Sequence, residues 1–131
     1  RERVIFTGDT LFSLGCGRIF EGNHNQMLKS LERIKKLPGN TKIYCGHEYT
    51  YQNAEFCMKH DGDNIDLKVK FEKIKKLRSK NLPTVPSLLE EELKSNIFLR
   101  CDQNDLKAKL NMQNQEDFKV FKKVRDLKDI F

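Results

Sequence analysis

The 131-residue chain has no long hydrophobic run, no CxxC pair and only three histidines. Because no stretch of 18 consecutive apolar residues occurs, we expect no membrane-spanning helix and no membrane partner. The four cysteines lie far apart, which argues against a zinc ribbon or a thioredoxin-type redox pair. We interpret them as reduced, buried thiols, typical of a cytoplasmic protein, with the mitochondrial matrix as the alternative location.

The chain is rich in charged residues, and basic residues outnumber acidic ones. The chain has 25 Lys and Arg against 19 Asp and Glu, a formal net charge of +6. Most lysines fall on helical patterns with interspersed acids, which favours solvated helix faces. The sequence has no RNP-like aromatic pattern, zinc-finger spacing or helix-turn-helix signal, so a basic nucleic-acid-binding domain is a minor alternative and we expect no nucleic-acid partner. A basic surface would also suit an anionic small substrate.

The order of predicted elements changes near the middle of the chain. Residues 3–7 and 41–45 are β-branched or aromatic runs that end at glycine turns, and we predict both as strands, separated by a loop and one helix. After residue 50 the apolar spacing is helical. We predict that Ser87 and Glu90 form a capping box at the start of one of these helices. No strand in this second part is expected to extend the sheet.

Two polar residues follow the predicted strands. Asp9 and His47 each come directly after a glycine at a strand end. A carboxylate and an imidazole at one sheet edge suit part of a zinc, iron or manganese site. The alternative is structural: Asp9 accepts backbone N–H bonds in its turn, and His47 is an ordinary half-buried histidine. Cys16 is a weaker candidate, as a nucleophile, because no histidine lies near it in sequence to activate it.

The motifs GDTLF, GCGR with a following EG, GHEYT, NIFLR and RDLKD occur here in that order. Together they resemble the C-terminal half of glyoxalase II, the hydroxyacylglutathione hydrolase branch of the metallo-β-lactamase superfamily. The resemblance implies an α/β (α+β) fold. Residues 1–50 would be the C-terminal part of a metallo-β-lactamase αββα sandwich. Residues 51–131 would be an all-helical domain that binds the glutathione thioester.

The resemblance also implies hydrolysis of S-D-lactoylglutathione to glutathione and D-lactate at a centre of two divalent metal ions. Zinc is expected, with iron or manganese as alternatives. In the family the aspartate of GDTLF bridges both metals and the histidine of GHEYT binds the second. The resemblance therefore assigns metal ligation to Asp9 and His47, and glutathione binding to Arg18, Tyr49, Arg125 and Lys128.

The sequence departs from the family pattern in three places. Phe20 stands where many relatives carry a tyrosine, NIFLR replaces the usual NPFLR, and the metal-binding THxHxDH motif does not occur. His24 and His60 lie outside any matching motif, and we expect solvated or capping roles for them. Since the chain begins with Arg1 rather than Met, we expect a C-terminal fragment that is inactive alone and needs its N-terminal half, the whole being a monomer. The alternative is a non-catalytic remnant that binds glutathione or another small anion without metal.

Overall fold

The computed structural model describes residues 3–17 and 24–131. Arg18 and Phe20 therefore lie outside the described residues. The strands are β1 (Val4–Gly8), β2 (Leu11–Phe12), β3 (Gly15–Cys16), β4 (Lys42–Cys45) and β5 (Ser87–Leu88). The helices are α1 (His24–Lys35), α2 (Thr50–Asp61), α3 (Ile65–Ser79), α4 (Leu89–Ser95), a 3₁₀ turn (Ile97–Leu99), α5 (Asn104–Lys109) and α6 (Asp117–Asp129).

The main sheet has the strand order β1-β4-β5. Strand β1 pairs in parallel with β4, with Ile5 opposite Ile43, and α1 connects the two strands. Two parallel strands must be joined by a crossover connection, and within the first 45 residues α1 is part of that connection. Ile43 is buried on the helix-facing side, whereas Phe6 on the other face is 78% exposed. One face of this sheet therefore packs against the helices.

Strand β5 corrects the expectation that the second part of the chain adds nothing to the sheet. Its two residues pair antiparallel with β4, so that Ser87 lies opposite Ile43. A two-residue strand is too short to show alternation in sequence. The predicted capping box is also wrong. Helix α4 begins at Leu89, and the Ser87 hydroxyl donates a hydrogen bond of 2.6 Å to Glu92 rather than capping the helix.

The helices bury their apolar faces in one core with the sheet. Phe56 of α2 and Phe121 of α6 both pack on Phe98, with ring centroids 6.1 Å apart in each pair. Leu67 and Ile74, seven residues apart and therefore on one face of α3, are both buried. The core includes residues from both sides of the predicted boundary between residues 50 and 51, and that boundary stays a prediction. None of the described helices has the length and apolarity needed to cross a membrane.

Glu92 is a charged residue inside this core. Its side chain is fully buried, and its Oε2 accepts from the hydroxyls of Ser13 (3.1 Å) and Ser87 (2.6 Å). Its Oε1 accepts from the backbone N–H of Leu14 at 2.8 Å and from the Asn96 amide at 3.0 Å. The Lys70 ammonium lies 3.1 Å from Oε2. A buried carboxylate needs this many donors to offset its desolvation, and here they tie the β2–β3 turn to α3, α4 and β5.

Candidate active site

Glycines allow the ends of β1 and β4 to come close together. A Cβ on Gly17 would lie 1.9 Å from the backbone oxygen of Asp9, so only glycine fits there. A Cβ on Gly46 would lie 2.9 Å from the Asp9 carboxylate. The N–H of Gly46 also donates to the carbonyl oxygen of Gly8 at 2.8 Å. The glycine-rich stretch after β1 thus folds tightly around Asp9.

Asp9 and His47 meet at this edge of the sheet. Their Oδ1 and Nε2 atoms are 3.2 Å apart, and their side chains are 74% and 49% exposed. Strands β1 and β4 are parallel, so their carboxyl ends lie side by side and bring the two residues together. The pair therefore presents one oxygen and one nitrogen donor to solvent from a single point.

Aromatic rings fix one side of the His47 imidazole. The Tyr49 ring stacks on it with centroids 4.8 Å apart and an interplanar angle of 10°. The Phe12 ring of β2 and the Tyr49 ring form an edge-on pair, with their centroids 5.2 Å apart. Stacked and edge-on pairs of this kind restrict ring orientation beyond simple burial. His47 is therefore oriented by residues from two separate elements.

Glu48 lies between His47 and Tyr49 in sequence, and it contacts the proline-containing segment 82–86. Its Oε1 accepts from the backbone N–H of Thr84 at 2.6 Å, and its Oε2 from the Thr84 hydroxyl at 2.5 Å. Burial raises the pKa of Glu48, but the hydrogen bonds from Thr84 outweigh this effect and leave the pKa below its ordinary value. The carboxylate is therefore ionised at neutral pH.

A cleft of about 450 Å³ opens beside the Asp9–His47 pair. Its lining includes Asp9, His47, Tyr49, Gln52, Arg125 and Lys128. Five of the six residues predicted from the motifs thus lie around one cavity, and Arg18 lies outside the described residues. Gln52 was not predicted. The available signal was its position in the first turn of α2, three residues after Tyr49.

Arg125 is far less accessible than a solvated helix position suggests. Its side chain is 4% exposed, and its Nη1 donates to the carbonyl oxygens of Cys16 (2.8 Å) and Gly17 (3.2 Å). Its Nε donates to Asp129 at 3.1 Å, and its guanidinium lies 5.2 Å from the centre of the Phe98 ring. Arg125 thus links α6 to the glycine-rich stretch at the floor of the cleft.

Cys16 is unsuited to act as a nucleophile. Burial raises the pKa of its thiol to about 12, although the neighbouring Arg125 acts in the opposite direction. Only the thiolate is a strong nucleophile, and at neutral pH this thiol stays protonated. Cys57 and Cys101 are also free and buried, as predicted, whereas Cys45 is half-buried.

The other two histidines lie away from the cleft lining. His24 starts α1, with its Nε2 3.9 Å from an Asp126 oxygen. His60 lies in the last turn of α2 against Phe56. Burial lowers the pKa of His60, and the charge of Lys59 lowers it further, so this imidazole is neutral at pH 7.

The donor set of the Asp9–His47 pair fits part of a metal site. A carboxylate oxygen and an imidazole nitrogen are ordinary ligands of zinc. Within residues 3–17 and 24–131, no group of three or more His, Cys, Asp or Glu side chains has metal-binding geometry. Two protein ligands hold a divalent ion weakly, so a tight site at this pair needs ligands from beyond the described residues.

Comparison with known proteins identifies the class to which this fold and site belong. A model of the metallo-beta-lactamase superfamily matches residues 1–47, which include Asp9 and His47. A model described as hydroxyacylglutathione hydrolase C-terminus matches residues 48–131, nearly two thirds of the chain. The chain belongs to the hydroxyacylglutathione hydrolase family. The resemblance read from the motifs is thereby confirmed, as is the mixed α/β architecture followed by a helical region.

Curated relatives carry the same name. The chain is 55% identical to the hydroxyacylglutathione hydrolase of Pelagibacter ubique over 130 residues, which is 99% of this chain and 48% of that protein. It is 44% identical to the Methylococcus capsulatus enzyme of that name over 130 residues, 99% of this chain and 51% of the relative. It is 46% identical to the one from Brucella ovis over 129 residues, 98% and 50% of the respective chains. The chain thus spans about half the length of the curated relatives it matches.

Proposed function

We propose that this chain is the C-terminal half of a hydroxyacylglutathione hydrolase that cleaves S-D-lactoylglutathione into glutathione and D-lactate. The observation that carries this proposal is the Asp9–His47 pair at the rim of a cleft lined by Tyr49 and Lys128. In the reaction, water adds to the thioester carbonyl carbon and the C–S bond breaks. The glutathione sulfur leaves as a thiolate. The half described here is inactive without its N-terminal partner.

In this proposal Asp9 and His47 hold divalent metal together with ligands from the N-terminal half. The chemistry that such a centre would supply, with zinc in the first instance and iron or manganese otherwise, is a water-derived nucleophile at neutral pH and Lewis acidity toward the carbonyl oxygen. The stacking of Tyr49 on His47 supports this role, because it fixes the direction of the imidazole. Gly46 leaves room for the carboxylate, because a Cβ at that position would lie 2.9 Å from the Asp9 Oδ1.

Glutathione carries two carboxylates, and the cleft offers cationic groups for them. Lys128 lines the cleft directly. Arg125 holds the carbonyls of Cys16 and Gly17 and pairs with Asp129, so in this proposal it shapes the floor of the cleft. Tyr49 stacks on the proposed metal ligand His47 and also lines the cleft. Arg18 completes the proposed set at the position that follows Gly17.

The proposal is tested by joining residues 1–131 to the N-terminal half of the Pelagibacter ubique relative and measuring thiol release from S-D-lactoylglutathione. We expect turnover by the joined protein and none by the 131-residue chain. Replacing the candidate ligand in Asp9→Asn should reduce the rate at least about 100-fold, because it removes an anionic metal ligand, and even the loss of a residue that supports a metal ligand costs about 10–100-fold. Asp66→Asn, an exposed site on α3 outside the cleft lining, is the matched control. An inactive joined protein, or equal rates for both variants, would contradict the proposal.

A second candidate function is a glutathione-binding module without metal. The absence of a third metal-ligating side chain near Asp9 and His47 in the described part of the chain favours it. It predicts that the 131-residue chain binds glutathione in calorimetry in the presence of a chelator. It also predicts that the joined protein releases no thiol. Turnover by the joined protein excludes this alternative.

A further inference from the structure

The turn between β4 and α2 carries both His47 and Tyr49, and Glu48 lies between them. His47 and Tyr49 line the cleft, whereas the Glu48 carboxylate accepts two hydrogen bonds from Thr84. These bonds, at 2.5 and 2.6 Å, are short and involve an ionised acceptor. Charge-assisted bonds of this kind are roughly twice as strong as neutral ones.

Thr84 is itself held in place from two directions. Its Oγ1 lies 2.5 Å from the Thr50 hydroxyl, which is buried at the first residue of α2. Three residues further along the chain, Ser87 pairs with Ile43 of β4. The Glu48 carboxylate therefore ties the turn to a segment that is anchored both to α2 and to the strand preceding the turn.

The start of α2 lacks the usual side-chain cap. Tyr49 occupies the N-cap position and makes no side-chain hydrogen bond to the helix backbone. A capping Ser, Thr, Asp or Asn would otherwise fix the chain at this point. The contact between Glu48 and Thr84 restrains the backbone one residue before this uncapped start.

We infer that Glu48 and Thr84 are positioning residues, which fix the His47 imidazole and the Tyr49 ring at the cleft. The effect on the reaction rate rests on the function proposed above, whereas the effect on the positions of the two rings does not. Releasing the turn would move a metal ligand and a substrate-binding ring together. A displacement of about 1 Å at a reacting centre can cost on the order of 100-fold in rate.

The structural part is tested in the 131-residue chain by NMR of the His47 imidazole, assigned with a His47→Gln variant. A stacked ring experiences the ring current of Tyr49, so its C–H resonances are displaced. We expect Glu48→Ala to bring these resonances toward their unstacked positions. Thr84→Val, which removes the hydroxyl but keeps the backbone N–H, should shift them in the same direction by less.

Conservative variants separate positioning from a general loss of structure. Thr84→Ser retains the hydroxyl and should keep the His47 resonances near those of the unmodified chain. Glu48→Gln keeps one acceptor but loses the charge, so it should shift these resonances less than Glu48→Ala. Glu55→Ala, at an exposed position of α2, is the control. Circular dichroism reports folding, and if Glu48→Ala is unfolded the comparison of Thr84→Val with Thr84→Ser decides. Unchanged His47 resonances in folded Glu48→Ala or in Thr84→Val would overturn the inference.

The catalytic part is measured in the joined protein. We expect Glu48→Ala to lower kcat/KM at least tenfold, mainly through kcat, with a smaller loss in Glu48→Gln and a rate close to the unmodified one in Glu55→Ala. Displaced His47 resonances together with unchanged kcat/KM would overturn the catalytic consequence. If the unmodified joined protein is inactive, the proposed function fails, and the NMR result still decides whether Glu48 positions His47.

Discussion

Replacing Glu92 with alanine tests how the fold supports the cleft. The substitution removes the fully buried carboxylate that lies 3.1 Å from the mostly buried Lys70 ammonium, and leaves that ammonium with the Ser87 hydroxyl at 3.0 Å and the partly exposed Glu91 at 3.3 Å. It also removes the acceptor of the Ser13 and Ser87 hydroxyls and of the Leu14 N–H, and one of three acceptors of the Asn96 amide. Breaking a buried ion pair from one side costs about 3–5 kcal/mol, and we expect a loss of about 4 kcal/mol here. Whole domains are stable by only about 5–15 kcal/mol, so this is a severe change.

The assay is urea-induced unfolding of the 131-residue chain, followed by far-UV circular dichroism. Glu90→Ala, on the same helix but exposed, is the control, and surface changes of this type usually stay within about 0.5 kcal/mol. Glu92→Gln keeps the shape but not the charge, and should fall between the two. A loss below about 1 kcal/mol in Glu92→Ala would refute the reasoning, because a single unsatisfied buried donor already costs about that much.

Three other predictions concern separate contacts. Gly17→Ala should lower the free energy of unfolding in urea by about 1–3 kcal/mol, because the added Cβ would meet the Asp9 backbone oxygen. Gly39→Ala, where the nearest atom lies 3.2 Å from the added Cβ, should cost less, and equal losses in the two variants would contradict this reasoning. Arg125→Met should speed amide exchange at Gly17 by releasing that residue's carbonyl from the arginine, and unchanged exchange would show that Arg125 does not hold the loop. Burial raises the pKa of Asp105, but Arg100 outweighs it and leaves the pKa below its ordinary value. The stabilising effect is complete above the unfolded-state pKa of about 3.9 and is lost as pH falls through the lower folded-state pKa. Asp105→Asn should therefore be less stable than the parent at pH 6 and approach it in strong acid, and a stability gap independent of pH would contradict this.

Much of the site was predictable from the sequence because it depends on local rules. Strands β1 and β4 carry β-branched and aromatic residues and end at glycines, and their parallel pairing follows from the helix between them. That pairing brings Asp9 and His47 to one edge. The buried stripe of α3, which includes Leu67 and Ile74, follows from helical periodicity.

The remaining features depend on contacts between distant parts of the chain. Strand β5 has only two residues, so its pairing with β4 gives no periodic signal. Ser87 has a standard capping spacing, but Glu92 competes for its hydroxyl. The sequence of α6 is highly charged and looks like that of a solvated helix. Arg125 is nevertheless buried, because it packs against backbone carbonyls more than 100 residues earlier in the chain. The contact of Glu48 with Thr84 spans 36 residues and has no sequence signature.

The central claim is that Asp9 and His47 are ligands of a metal centre completed by the N-terminal half. Its most direct test is the metal content of the joined protein after dialysis, measured by mass spectrometry. A two-metal site predicts about two divalent ions per chain, with clear losses in Asp9→Asn and in His47→Gln and no loss in Asp66→Asn. Full metal content in both ligand variants would contradict the account.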